Sequence, residues 1–119
     1  MNPATALAEL RGLSTQIVEA VIVDATGTIE ASSTSASARA DVLARVGREL
    51  LGAAAAVRPG VEPPSRVEIE FEHGGLFVVR ESRRTIVATT VVEPTAGLVV
   101  YDLRTALRSV DASAEDVER

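Results

Sequence analysis

The chain has 119 residues, a formal net charge of −5, one histidine, no cysteine and no lysine, so that all twelve of its basic residues are arginine. That length suits one domain, large enough to bury roughly two-thirds of the surface its unfolded chain exposes. Without cysteine there are no disulfides, thiolate nucleophiles, cysteine zinc sites or iron–sulfur clusters, and without lysine no P-loop lysine and no Schiff-base chemistry.

The acidic balance, with arginines scattered among carboxylates, argues against a nucleic-acid partner, whose phosphates are gripped by clustered cations. No apolar run approaches the roughly 20 residues that span a bilayer, and Met1-Asn2-Pro3-Ala4-Thr5 lacks a basic region followed by an apolar core. The expectation is a cytoplasmic, soluble domain with no membrane insertion.

In chain order, Pro3 to Leu13 predicts a short helix, with Leu7, Leu10 and Leu13 at helical spacing and Gly12 near its end. Ile17 to Asp24 predicts a strand that turns through Thr26-Gly27 into a second strand, Thr28 to Ser32, where Asp24 can hold its own turn and Gly27 can take positive φ. A Ser/Thr-rich loop follows, and Ser37, or Ser35 before it, is the expected N-cap of a long helix over about Ala38 to Val57.

That helix is amphipathic, with Leu43, Val46, Leu50, Ala54 and Val57 on one stripe. Asp41, Arg45 and Glu49 are expected to form i,i+4 charge pairs on another. Gly47 and Gly52 would each cost roughly 1 kcal/mol relative to alanine unless a close backbone approach compensates.

The loop Arg58 to Pro64 is proline-rich, and beyond it lies the clearest alternation in the chain. Val67, Ile69 and Phe71 face one side of a strand and Glu68, Glu70 and Glu72 the other, before a turn at His73-Gly74-Gly75. A strand over Leu76 to Arg80, a turn at Glu81-Ser82-Arg83 and a strand over Arg84 to Val92 complete a meander. Thr95 is then placed to cap a last helix running to about Val110, with Val99, Leu103, Ala106 and Val110 as its apolar stripe. Residues 1–111 thus read as the domain and 112–119 as an acidic, disordered tail. The fold class is α+β, with element order αββαβββα and one five-stranded antiparallel sheet carrying helices on its faces.

Catalytic motifs are hard to find. His73 reads as an exposed turn residue, Glu68, Glu70 and Glu72 are too regularly spaced along a strand to converge on one ion, and neither a phosphate cradle nor a Gly-x-Ser-x-Gly elbow occurs. No catalytic residue, cofactor or metal is expected. An acidic strand beside a helix with a small-residue stripe reads in two ways. Its carboxylates can be solvated guards against edge pairing, or the strand can pair with its own copy across a two-fold axis, with Arg66 meeting a glutamate of the partner.

Several segments together resemble the roadblock family, small domains named for a dynein light chain and widespread in bacteria as regulators of Ras-like GTPases. They are Leu10 to Leu13 with Val18 to Val23, the turn Asp24 to Ser32, the hairpin Val67 to Val78 and the helix entry Ala96-Gly97-Leu98-Val99. A composition rich in alanine, valine and arginine agrees with a high-GC bacterial coding bias. The resemblance implies a sheet sandwiched by helices and a homodimer made through the second helix and third strand, giving a continuous ten-stranded sheet. It also implies a non-catalytic partner role toward a small Ras-like GTPase, as regulator or scaffold.

On that basis Leu43, Val46, Gly47, Leu50, Ala54, Arg66, Val67, Glu68, Ile69, Glu70 and Phe71 become candidates for the dimer interface or the core beneath it. Arg83-Arg84 at a strand turn invites comparison with an arginine finger, but exposed turn arginines are commonplace and the family is not defined by one. The alternative function is a small-molecule sensor or general adaptor of profilin-like fold, which would need a polar-lined cavity where the apolar strands suggest a filled core.

Overall fold

The computed structural model describes the backbone of residues 1–118 and the side chains of residues 1–111. In chain order the elements are α1 (Pro3–Leu13), β1 (Ile17–Val23), β2 (Ile29–Ser32), α2 (Ser37–Val57), β3 (Arg66–Phe71), β4 (Gly74–Glu81), β5 (Arg84–Thr90) and α3 (Ala96–Glu118). The expected order αββαβββα and its single antiparallel sheet are what the chain forms.

The strands are arranged β2-β1-β5-β4-β3, so β1 and β5, far apart in sequence, meet at the centre and β3 forms an edge. One face carries α1 and α3 over a cluster that includes Leu7, Leu10, Ile22, Phe77, Ile86, Leu103 and Leu107. The other carries α2 alone, over Val21, Leu76, Val78 and Val87. The period-2 alternation of β1 and β5 divides their side chains between the two clusters: Ile22 and Ile86 go to one, Val21 and Val87 to the other.

Local chemistry explains the boundaries. Asn2 caps α1 by accepting a bond from the Thr5 amide at 2.8 Å, with Pro3 in the first turn. The β1–β2 turn closes around Asp24, whose Oδ1 accepts from the amides of Thr26 (2.9 Å) and Thr28 (3.0 Å) and from the Thr26 hydroxyl (2.7 Å), while Gly27 sits at φ 88°. The Thr26 hydroxyl foremost, and then the backbone amide of Thr28, hold the Asp24 carboxyl below its usual range.

Five expectations need correction. α2 starts at Ser37, with Ala36 in the cap position and no side-chain capping bond, so neither Ser35 nor Ser37 is the cap. The loop hydroxyls are engaged closer to home, Ser32 with Thr34 and Thr34 with the Ala36 amide. The β3–β4 turn is Glu72-His73, not His73-Gly74-Gly75, because Phe71 already pairs with Gly74. Both glycines lie in β4, where β5 comes so close that a Cβ at Gly74 would sit 2.5 Å from the Thr90 carbonyl oxygen and one at Gly75 2.7 Å from the Thr90 hydroxyl.

Strand β5 ends at Thr90 and not at Val92, since its last partners are Ile17 on one side and Gly75 on the other. Val91 instead donates to the Gln16 carbonyl at 2.9 Å and Glu93 turns the chain at φ 51°. Asp41, Arg45 and Glu49 make no ion pairs with one another; among the described residues such pairs lie elsewhere, at Glu19–Arg39 and around Arg84 and Glu81. Helix α3 continues to Glu118, past Val110, while the side chains of 112–118 and all of Arg119, on which the expected tail falls, lie outside the described residues.

Candidate functional site

The sequence-predicted interface residues separate into three groups. Leu43 and Gly47 are buried inside the protomer, in the row of α2 that lies on the sheet with Ala40 and Ala44. Gly47 is there because nothing larger fits: a Cβ would collide with Cγ2 of Val87. Gly52, by contrast, has open space around it, so close approach explains only one of the two helix glycines.

Val46 and Leu50 stand on the flank of α2 and Val67 and Ile69 on the near face of β3; all four pack along the rim of the core under α2 and are only partly buried. Ala54 is half-buried farther along the helix. Phe71 continues the strand's apolar side and is 57 % exposed, the only large aromatic side chain of β3.

Arg66, Glu68 and Glu70 take the opposite face of β3 and are exposed. Arg66 Nε lies 3.6 Å from its own Glu68. Neither α1 nor α3 covers that face as far as β3, so the strand is open on one side chain face, on its backbone edge and partly on the other face.

A recess of about 430 Å³ opens where the first half of α2 overhangs the sheet, lined by Val18, Val42, Val46, Phe71, Leu76 and Thr89 among others. Val42 was not singled out from sequence, although its place four residues before Val46 on the same flank was the available signal. The Glu19–Arg39 pair closes one wall, with two contacts of 2.9 and 3.0 Å between guanidinium and carboxylate. Arg39 is the main reason the Glu19 carboxyl titrates below its usual range, against the opposing effect of its partial burial.

His73 is an exposed turn residue, as expected, and no group of three or more acidic, histidine or cysteine side chains gathers in metal-binding geometry among the described residues. Arg84 is engaged: it donates to Glu30 at 2.7 Å and to Asp111 at 2.7 Å, tying β5 to β2 and to α3, while Arg83 stays exposed. No helix of the described residues is long and apolar enough to cross a membrane.

No protein-family model matches the sequence, and no curated protein matches it either. Solved structures do. A Roadblock/LC7 domain from Streptomyces avermitilis superposes with a TM-score of 0.81 at 19 % identity, over 97 % of this chain and 99 % of that one. The gliding protein MglB from Thermus thermophilus superposes with a TM-score of 0.74, also at 19 % identity, over 96 % and 92 %. Profilin from Schizosaccharomyces pombe shares the layout more loosely, with a TM-score of 0.55 at 14 % identity over the whole of both chains. At such identities the likeness speaks for the backbone alone, and the backbone of this chain is the roadblock fold.

Proposed function

We propose that this protein is a non-catalytic homodimeric module that binds a small Ras-like GTPase and modulates its nucleotide cycle, as regulator or scaffold. One observation carries the self-association: the apolar flank formed by Val46 and Leu50 of α2 with Val67 and Ile69 of β3 is left incompletely covered beside an unpaired strand edge. A contiguous apolar surface bordering open backbone donors and acceptors favours burial against another chain. The roadblock fold and the sequence resemblance together support the GTPase partner, and a dimer would supply a platform for holding a partner's switch loops. An arginine finger is not required, and Arg84 is already committed to Glu30 and Asp111.

Sedimentation of the wild type and of Leu50→Asp tests the first part: a dimer for the former and a monomer for the latter are expected, and a monomeric wild type at high micromolar concentration would refute it. Titration against small GTPases of the same genome, each loaded with GDP or a GTP analogue, tests the second. Preferential binding of one nucleotide state, with a changed hydrolysis or exchange rate, is expected; no binding to any in either state rejects the GTPase partner.

The recess under α2 favours a second reading, a small-molecule sensor, because its walls combine apolar side chains with the Glu19–Arg39 pair. A metabolite-library thermal-shift screen in which Val42→Trp abolishes the hits would support it.

A further inference from the structure

The outer face of the α1/α3 pair carries exposed apolar side chains that neither the core nor the flank beside β3 uses. Leu13, at helical spacing from the buried Leu7 and Leu10, is itself 82 % exposed at the end of α1. Leu98 and Tyr101, one turn apart at the start of α3, are 50 % and 64 % exposed. The two helices run antiparallel: Leu13 shares a groove with Asp102, near the start of α3, while Met1 donates to the Ser109 carbonyl farther along it at 3.1 Å. Leu98 precedes Asp102 by four residues on the same side of α3, which sets it near Leu13 at the mouth of that groove.

The β5–α3 loop brings the exposed Val92 to this end as well. The Gln16 carbonyl accepts from the Val91 amide at 2.9 Å, and Gln16 Oε1 accepts from the Thr95 amide at 2.6 Å, tying that loop to the residues that follow α1. Apolar residues exposed singly are ordinary. Leu13, Val92, Leu98 and Tyr101, gathered from three segments at one end of a helix pair, make a patch of the kind that marks an interaction surface.

The groove behind the patch is shallow, with Ala6, Leu10 and Ala106 as its floor and a volume of about 80 Å³, well below the roughly 300 Å³ at which small-ligand pockets begin. Its length suits a different occupant. Helix α1 has 11 residues, so a helix laid along it would make contact over about 16 Å, or about three turns.

Charge decides what could cover it. Glu9 and Asp102 line the groove and Glu93 is exposed in the adjoining loop; among the described residues none of the three forms an ion pair, and no basic side chain lines the groove. Arg11 lies about 160° around α1 from Glu9, on its other flank. A second copy of the same patch would set carboxylate against carboxylate, and the anionic headgroups of a membrane would be repelled. A helix with apolar residues at i, i+3 and i+7 and lysine or arginine along its margins matches both the patch and its acidic border. The geometry points to the α1/α3 groove as a docking site for an amphipathic helix of another protein, apolar on the face it presents and basic at its edges. The site lies across the sheet from α2 and away from the β3 edge, so it is independent of the homodimer and of the GTPase partner proposed above.

A fluorescein-labelled amphipathic peptide of leucine and lysine, roughly 18 residues long so that it holds a helix, probes the site by fluorescence anisotropy against the full chain. Saturable binding is expected, weakened about tenfold or more by Leu13→Ser combined with Leu98→Ser, which removes two apolar anchors. Glu9→Gln combined with Asp102→Asn is expected to weaken it about 2- to 5-fold. Val57→Ser combined with Val61→Ser, the same change on exposed valines elsewhere, should stay within about twofold of wild type, and each variant should unfold at the wild-type temperature because the side chains replaced lie at the surface. No binding, binding that ignores Leu13 and Leu98, or equally tight binding of a leucine–glutamate peptide overturns the site. Wild type that floats with phosphatidylcholine–phosphatidylglycerol vesicles when the Leu13/Leu98 double variant does not identifies a membrane as the occupant, and a sedimentation mass that falls in that variant identifies a second copy; either result overturns the helix partner. A monomeric wild type that still binds the peptide through Leu13 and Leu98 refutes the homodimer and supports this site.

Discussion

The two faces of the sheet are built to different degrees of completion. Five strands spaced about 4.8 Å apart make a surface roughly 20 Å wide, and a helix with its side chains covers roughly 10 Å of it. The α1/α3 face has two helices, and its large side chains, Phe77, Ile86, Leu103 and Leu107 among them, are buried. That face is also fastened at one end, where Arg84 joins β2, β5 and α3. The α2 face has one helix, which buries Val21, Val78 and Val87 and leaves Val46, Leu50, Val67 and Ile69 incompletely covered along the β3 side. One helix short, the protomer is a finished structure on one face and a partial one on the other, and the proposed function resides in the unfinished half.

The comparison breaks most sharply under truncation. Leu103→Ala on the finished face is expected to cost about 2–5 kcal/mol of folding stability, since its side chain is fully buried and leaves a cavity. Leu50→Ala should cost clearly less in the isolated protomer and should weaken self-association instead. Urea denaturation of dilute protein, paired with sedimentation, separates the two effects; equal losses of protomer stability would mean that α2 is as fully packed as α3.

Next in size comes the pair of glycines along α2. Gly47→Ala is expected to destabilise by about 1–3 kcal/mol, because its methyl group must displace Val87 in the core. Gly52→Ala meets nothing and should stabilise by up to about 1 kcal/mol through helix propensity. Thermal unfolding of the two variants reads both signs in one experiment.

The smallest effect belongs to the β1–β2 turn, which both faces share. The Asp24 carboxyl is held below its unfolded value by Thr26 and then Thr28, so its ionised form stabilises the fold above the unfolded pKa. That contribution is lost as pH falls through the lowered folded-state value. Asp24→Asn, which keeps an acceptor but not the charge, should be slightly less stable than wild type near neutrality and indistinguishable from it at the acid end of a pH series.

Much of the fold was legible because each element carries its own local signal. The Asp24-to-Gly27 turn, the leucines of α1 and the alternation of β3 are chemistry within a few residues, and periodicity distinguished strand from helix throughout. What escaped were features decided by a distant neighbour. Gly74 and Gly75 resemble turn residues until Thr90 is placed against them, and Val91-Val92 resembles strand until the pairing of β5 with β1 and β4 is seen to end at Ile17 and Gly75. The candidate interface was legible in the same uneven way. Sequence spacing put Leu43, Val46 and Leu50 on one stripe of the helix, but only the position of α2 over the sheet separates Leu43, in the core beside Gly47, from the rim pair and brings Val42 onto the flank.

The position of β1 has a kinetic meaning as well. The meander β3-β4-β5 is joined by two-residue turns at Glu72-His73 and Ser82-Arg83 and can assemble as hairpins do, within microseconds. Its union with β1 sets Val21 against Val87 and Ile22 against Ile86, closing a loop that contains all of α2 and most of the sheet. The entropic barrier to folding is thereby concentrated in the β1–β5 seam at the centre of the sheet, so that substitutions in this seam are the ones that slow folding, while those along β3 act mainly after the domain has formed.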